Sequence, residues 1–117
     1  MSDNIYKMQR SSSEPLEKLV KDFLDKLDGG MEELIVSEIR TYGNTEVALL
    51  VFEKYYFRSG SYANLTMQIT SHDSLQRALI VGSGGGEGLL NITMGVNANF
   101  AKKAVKKLIE MGFEEKK

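Results

Sequence analysis

Through the middle of this chain apolar residues fall mostly at alternate positions, whereas at both ends they return with a helical period of about 3.6. Ala63, Leu65, Met67 and Ile69 alternate with Asn64, Thr66, Gln68 and Thr70. That pattern makes a strand with one buried and one wet face. Leu34 to Tyr42 and Thr45 to Arg58 read as two more strands, joined by a tight turn at Gly43-Asn44. Val47 to Phe52 is apolar on both faces, which suits a central strand. Arg77 to Gly82 and Leu89 to Met94 read as further strands, the second with Leu90, Ile92 and Met94 on a common face. Ile5 to Gln9 is a weaker candidate.

The flanking helices have clear stripes. Leu16, Leu19, Val20, Phe23, Leu24 and Leu27 line one side of a helix that starts near Ser13, with Glu14 and Pro15 in its opening turn, and stops at Gly29-Gly30. Its other side pairs Glu14 with Lys18, Glu17 with Lys21 and Asp22 with Lys26. A second helix is expected to start after Asn97 or Asn99, with Phe100, Ala101, Ala104, Val105, Leu108 and Ile109 as its stripe. Gly112 stands where a left-handed glycine ends a helix, and Phe113 can supply the apolar contact that follows. The expected fold is α+β: an antiparallel sheet of five to six strands with two helices packed on one face, in the order β-α-β-β-β-β-β-α. At 117 residues the chain is sized for one domain, 1–117.

Composition narrows the function. The apolar share of 42% and charged share of 26% belong to a globular chain. A formal net charge of -1 gives no general attraction to nucleic acid or anionic membrane, and neither is expected as a partner. Without cysteine there is no disulfide, thiolate nucleophile or cysteine metal site. Met1 to Arg10 lacks an apolar signal core, and no run approaches the ~20 apolar residues of a membrane helix. A cytoplasmic protein without a cofactor is expected.

Two segments stand out. In Gly82-Ser83-Gly84-Gly85-Gly86-Glu87-Gly88, ordering the glycines costs about 2–5 kcal/mol relative to alanine, so the loop is either mobile or held by something. A phosphate cradle is one reading of successive glycine N–H groups. Against it, Glu87 and Gly88 occupy the places where a P-loop has Gly and Lys, and a strand is expected to follow rather than a helix. A hairpin connection is the plainer reading. The other segment, Phe52 to Arg58, interleaves Tyr55, Tyr56 and Phe57 with Lys54 and Arg58. Such runs can stack on nucleic-acid bases, but Glu53 interrupts this one, and aromatic residues suit a strand in any case. Lys102, Lys103, Lys106 and Lys107 read as the solvated face of the last helix, and His72 as a turn residue in Ser71-His72-Asp73-Ser74.

Val51-Phe52-Glu53-Lys54-Tyr55-Tyr56 and Gly82-Ser83-Gly84-Gly85-Gly86 together resemble a family of small uncharacterised proteins of Gram-positive bacteria, a domain of unknown function. The resemblance spans nearly the whole chain. It implies a bacterial cytoplasmic protein and carries no activity or site residue with it. In architecture the element order is similar to a reduced helix-grip or START-like fold, in which a curved sheet wraps a closing helix around an apolar cavity. One helix rather than two after the first strand, and a short closing helix, depart from that plan.

The expected function is a non-catalytic domain binding a small molecule or a protein. The candidate contact residues are Gly82, Ser83, Gly84, Gly85, Gly86, Glu53, Tyr55, Tyr56 and Arg58; no catalytic or metal-binding residue is expected. The alternative is a structural homo-oligomer, such as a homodimer, assembled through strand edges or an aromatic sheet face. A carboxylate hydrolase ranks last and would need Glu53, Asp73 and Glu87 to converge.

Overall fold

In the computed structural model, which describes residues 5–27, 33–56, 60–84 and 90–116, the alternating middle of the chain forms an antiparallel meander. The elements are β1 (Ile5–Ser11), α1 (Leu16–Lys26), β2 (Glu33–Tyr42), β3 (Thr45–Tyr56), β4 (Ser61–His72), β5 (Leu75–Gly84), α2 (Leu90–Glu110) and β6 (Glu114–Lys116). They make an antiparallel six-stranded sheet in the order β2-β3-β4-β5-β1-β6. The expected α+β architecture stands, with both helices on one side.

Alternation explains that one-sidedness. Ala48, Leu50 and Phe52 of β3 are buried, as are Ala63, Leu65, Met67 and Ile69 of β4, Ala78 and Ile80 of β5, and Met8 of β1. The strand register places these residues opposite one another, so they share a face. Leu16, Leu19, Val20 and Phe23 of α1 and Phe100, Ala101, Ala104 and Leu108 of α2 close over them. The rings of Phe23 and Phe100 flank Phe52 with centroids 6.3 and 6.5 Å away. Such tilted contacts add to the area each ring buries. α1 begins after Pro15, and the Glu46 carboxylate of β3 accepts the Leu16 N–H, which has no acceptor within the helix, at 3.1 Å. An anion there suits the positive end of the helix.

Two tight turns follow from backbone sign. Gly43 (φ 62) opens the β2–β3 hairpin, and Asp73 and Ser74 (φ 51 and 63) make the β4–β5 turn, the left-handed pair that matches strand twist. Gly112 (φ 101) ends α2 as expected. Phe113 N–H donates to Leu108 O and Gly112 N–H to Ile109 O, each at 3.0 Å, the paired bonds of a Schellman cap.

The C-terminal third differs from expectation. Residues 90–94, expected within a strand, open α2, whose 21 residues run from Leu90 to Glu110. The spacing of Leu90, Met94, Ala98 and Ala101 fits a helix as well as Leu90, Ile92 and Met94 fit a strand. Short apolar runs do not separate the two periods. Gly95, Asn97 and Asn99 are weak helix formers and hid the helix start. The sixth strand is β6, which pairs Lys116, Glu115 and Glu114 with Lys7, Met8 and Gln9. The closing helix is therefore long, and the rings of Phe23, Phe52 and Phe100 occupy the space beneath it. Gly29-Gly30 lie outside the described residues.

A polar knot ties the ends of these elements. Gln76, wholly buried, donates to the Glu14 backbone O at 2.7 Å and accepts from Arg10 Nε at 2.6 Å. Arg10 also donates to Met111 O and to the Glu14 carboxylate, and lies 5.0 Å from the Phe113 ring centre. One guanidinium thus joins β1, the start of α1 and the cap of α2.

Candidate functional site

The face of the sheet away from the helices is open, and the register maps it row by row. Glu53, Asn64 and Ser83 stand side by side; then Val51, Thr66, Val81 and Ile5; then Leu49, Gln68, Leu79 and Lys7; then Val47, Thr70, Arg77 and Gln9. Leu49, Leu79, Tyr55, Tyr62 and Ile5 are exposed there. At one end Tyr55 pairs with Tyr62, with ring centroids 4.8 Å apart.

Of the expected contact residues, Glu53, Tyr55 and Ser83 fall on this open face. Gly82 lies opposite Leu65 on the helix side and is buried, and Gly84 pairs with Ala63. Tyr56 ends β3 opposite Ser61. Gly85, Gly86 and Arg58 lie outside the described residues, as does Glu87. The start of the glycine cluster is thus strand rather than loop, and the element that follows is a helix, not a second strand of a hairpin. Glu53 and Asp73 do not converge: nine β4 positions separate Asn64, the neighbour of Glu53, from Asp73, about 30 Å of strand.

A concave part of the face lies elsewhere. A hollow of about 350 Å³ is lined by Lys7, Gln9, Gln68, Thr70, Arg77, Leu79 and Lys116, and is bordered by Met8 and Ala78, whose side chains lie in the covered core. Every charged residue lining it is a cation; Glu114, opposite Gln9 on β6, is not among them. Register assembles the hollow: Lys7 stands between Leu79 and Lys116, and Arg77 between Thr70 and Gln9. Reading the chain in order missed this, because β1, β5 and β6 are distant in sequence and no local motif links them. A second hollow of about 310 Å³ lies at the β2 side of the same face, among Glu38, Arg40, Tyr42, Val47, Leu49 and Gln68.

His72 closes the β4–β5 hairpin on the surface, with Nδ1 at 2.8 Å from Thr45 Oγ1 and Nε2 at 3.1 Å from the Asp73 carboxylate. It is a turn residue. Lys102 and Lys106 are exposed on α2, on the side away from Ala101, Ala104 and Leu108. Among the described residues no group of three metal-ligating side chains comes together, and no helix is long and apolar enough to cross a membrane.

No curated protein matches the chain. Residues 6–112 match the family model of DUF6054, described as a family of unknown function. That span runs from β1 to the cap of α2 and takes in the helix-covered core, most of the open face and the Arg10 knot. The chain belongs to this family of unknown function.

Proposed function

We propose that this protein is a non-catalytic binding domain, and that the hollow on its open face takes a small molecule with an anionic group and an apolar body. The carrying observation is that Lys7, Arg77 and Lys116 surround a depression on the open face in which Leu79 supplies the exposed apolar side chain. Cations beside apolar surface complement an amphipathic anion: charge-assisted hydrogen bonds hold the head while the body covers Leu79. Gln9, Gln68 and Thr70 add uncharged donors and acceptors that orient the head group. The volume of about 350 Å³ lies in the range of small-ligand sites. The aromatic end, with Glu53, Tyr55 and Ser83, belongs to the same face. Tyr55, opposite Tyr62, stands six β4 positions from Gln68, about 20 Å, and Glu53 and Ser83, beside Asn64, stand four positions from it, about 13 Å.

The test is a fluorescence titration with anilinonaphthalene sulfonate, a probe with one anionic group on an apolar ring system. Saturable binding is expected, with Arg77→Ala and Lys7→Ala each weakening it about tenfold, the size of one lost charge-assisted contact. Lys102→Ala on α2 is expected to leave it unchanged. Equal binding by all three variants and the parent would sink the assignment.

A further inference from the structure

The two edges of the sheet are closed off differently. β6 is three residues long, all charged and all exposed. β2 has ten residues, Glu33–Tyr42, contains neither Lys nor Pro, and among the described strands pairs with β3 alone. Its irregularity lies between Leu34 and Val36, which leaves Val36 to Tyr42 in straight register. Charged side chains, proline, bulges and shortness are the usual guards of an edge; Val36 to Tyr42 has no proline or bulge, and its only charges, Glu38 and Arg40, are of opposite sign. The helices pack mainly against β1, β3, β4 and β5, and of β2 only Ile39 is half-buried against the core. Leu34, Ile35 and Tyr42 are exposed along it.

We infer that two copies of this chain pair through β2, antiparallel and centred on Ile39, to join their sheets into one. Hydrogen-bond parity and charge select that register together. Tyr42 and Thr45 close a two-residue turn, so they exchange hydrogen bonds; Arg40 and Glu38, at alternate positions, do the same with Val47 and Leu49. The N–H and C=O groups of Ser37, Ile39 and Thr41 therefore point out of the sheet. An antiparallel copy must match these outward residues with its own.

Of the registers that do so near the centre of the straight segment Val36–Tyr42, one places Glu38 opposite Glu38 of the second copy and another places Arg40 opposite Arg40. Both set like charges together. Centring on Ile39 places Glu38 opposite Arg40 and Arg40 opposite Glu38. It also sets Ser37 against Thr41 and Val36 against Tyr42, a hydroxyl pair and an aromatic–β-branched pair of the kinds that stabilise strand neighbours. Within one copy, Glu38 and Arg40 already lie on one face with their charges 3.0 Å apart. The two-fold axis continues that alternation of charge across the junction. The second copy's strand also gives the outward groups of β2 the hydrogen bonds that water otherwise supplies.

Sedimentation equilibrium of the full chain tests this. A concentration-dependent monomer–dimer equilibrium is expected, and a monomer at every concentration overturns the inference. Glu38→Arg and Arg40→Glu each reverse two symmetry-related pairs, so each is expected to weaken the dimer about tenfold or more. The double reversal Glu38→Arg with Arg40→Glu is expected to restore it. Failure of that restoration overturns the register. Because the chain has no cysteine, single-cysteine variants give a clean geometric readout. Ile39→Cys is expected to oxidise to a covalent dimer, since hydrogen-bonded neighbours stand with Cα atoms about 5.5 Å apart, within disulfide reach. Glu115→Cys on β6 is expected to stay monomeric under the same oxidation. Cross-linking at β6 and not at β2 would place the contact on the wrong edge.

Discussion

The two faces of one sheet are built from neighbouring residues on the same strands, yet they do different work. On β3, Phe52 is buried between two phenylalanine rings, while Val51, one position earlier, stands in the open row with Thr66 and Val81. On β5, Gln76 is sealed within a hydrogen-bond network, while Arg77 reaches a solvent-facing hollow. Backbone, strand and local sequence are nearly identical within each pair. What differs is whether a helix lies overhead. The covered face holds the fold together, and the open face is left available for chemistry.

The largest test of that contrast is at β3. Phe52→Ala is expected to lower unfolding stability by about 3–5 kcal/mol, whereas Val51→Ala should lose less than about 1 kcal/mol. Urea unfolding of both variants measures the difference; similar losses would mean that the open face is covered after all. The β5 pair gives a smaller separation. Gln76→Ala leaves Arg10 Nε and the Glu14 carbonyl without their partner and is expected to lose about 1–3 kcal/mol. Arg77→Ala should stay within about 0.5 kcal/mol of the parent while losing anion binding. A stability loss at Arg77 as large as that at Gln76 would blur the two roles.

The smallest effect concerns the turn between the strands. Ser74 holds a φ of 63, a conformation that side chains resist. Ser74→Gly is expected to raise thermal stability by up to about 1 kcal/mol, because relief of strain exceeds the added freedom of the unfolded chain. Binding at the hollow should not move. If it does, the two faces are mechanically coupled through the hairpin.

What could be read from residues alone follows the same division. The alternation in Ala63 to Thr70, the stripe of α1, the Gly43-Asn44 turn and the glycine end at Gly112 are local patterns, and each appears where expected. The start of α2 failed, since a six-residue apolar run satisfies two periods at once and only its packing chooses between them. β6 was missed because Glu114, Glu115 and Lys116 have no strand preference of their own; pairing with β1 makes them a strand. The hollow was illegible for a deeper reason. Lys7, Arg77 and Lys116 become neighbours only through register, and register depends on contacts far apart in the chain. Of the proposed contact residues, Tyr55 and Glu53 were visible as oddities in a strand, but the face they occupy was not.

The placement of β1 has a bearing on how the molecule is made. Ile5 pairs with Val81 and Lys7 with Lys116, so β1 leaves the ribosome well before either of its neighbours. Until β5 and β6 emerge, Met8 has no sheet to complete and Arg10 no cap to grip. Such long-range closure is slow, and the waiting segment remains open to unwanted contacts in the interval. Final locking of the sheet therefore awaits the emergence of β6.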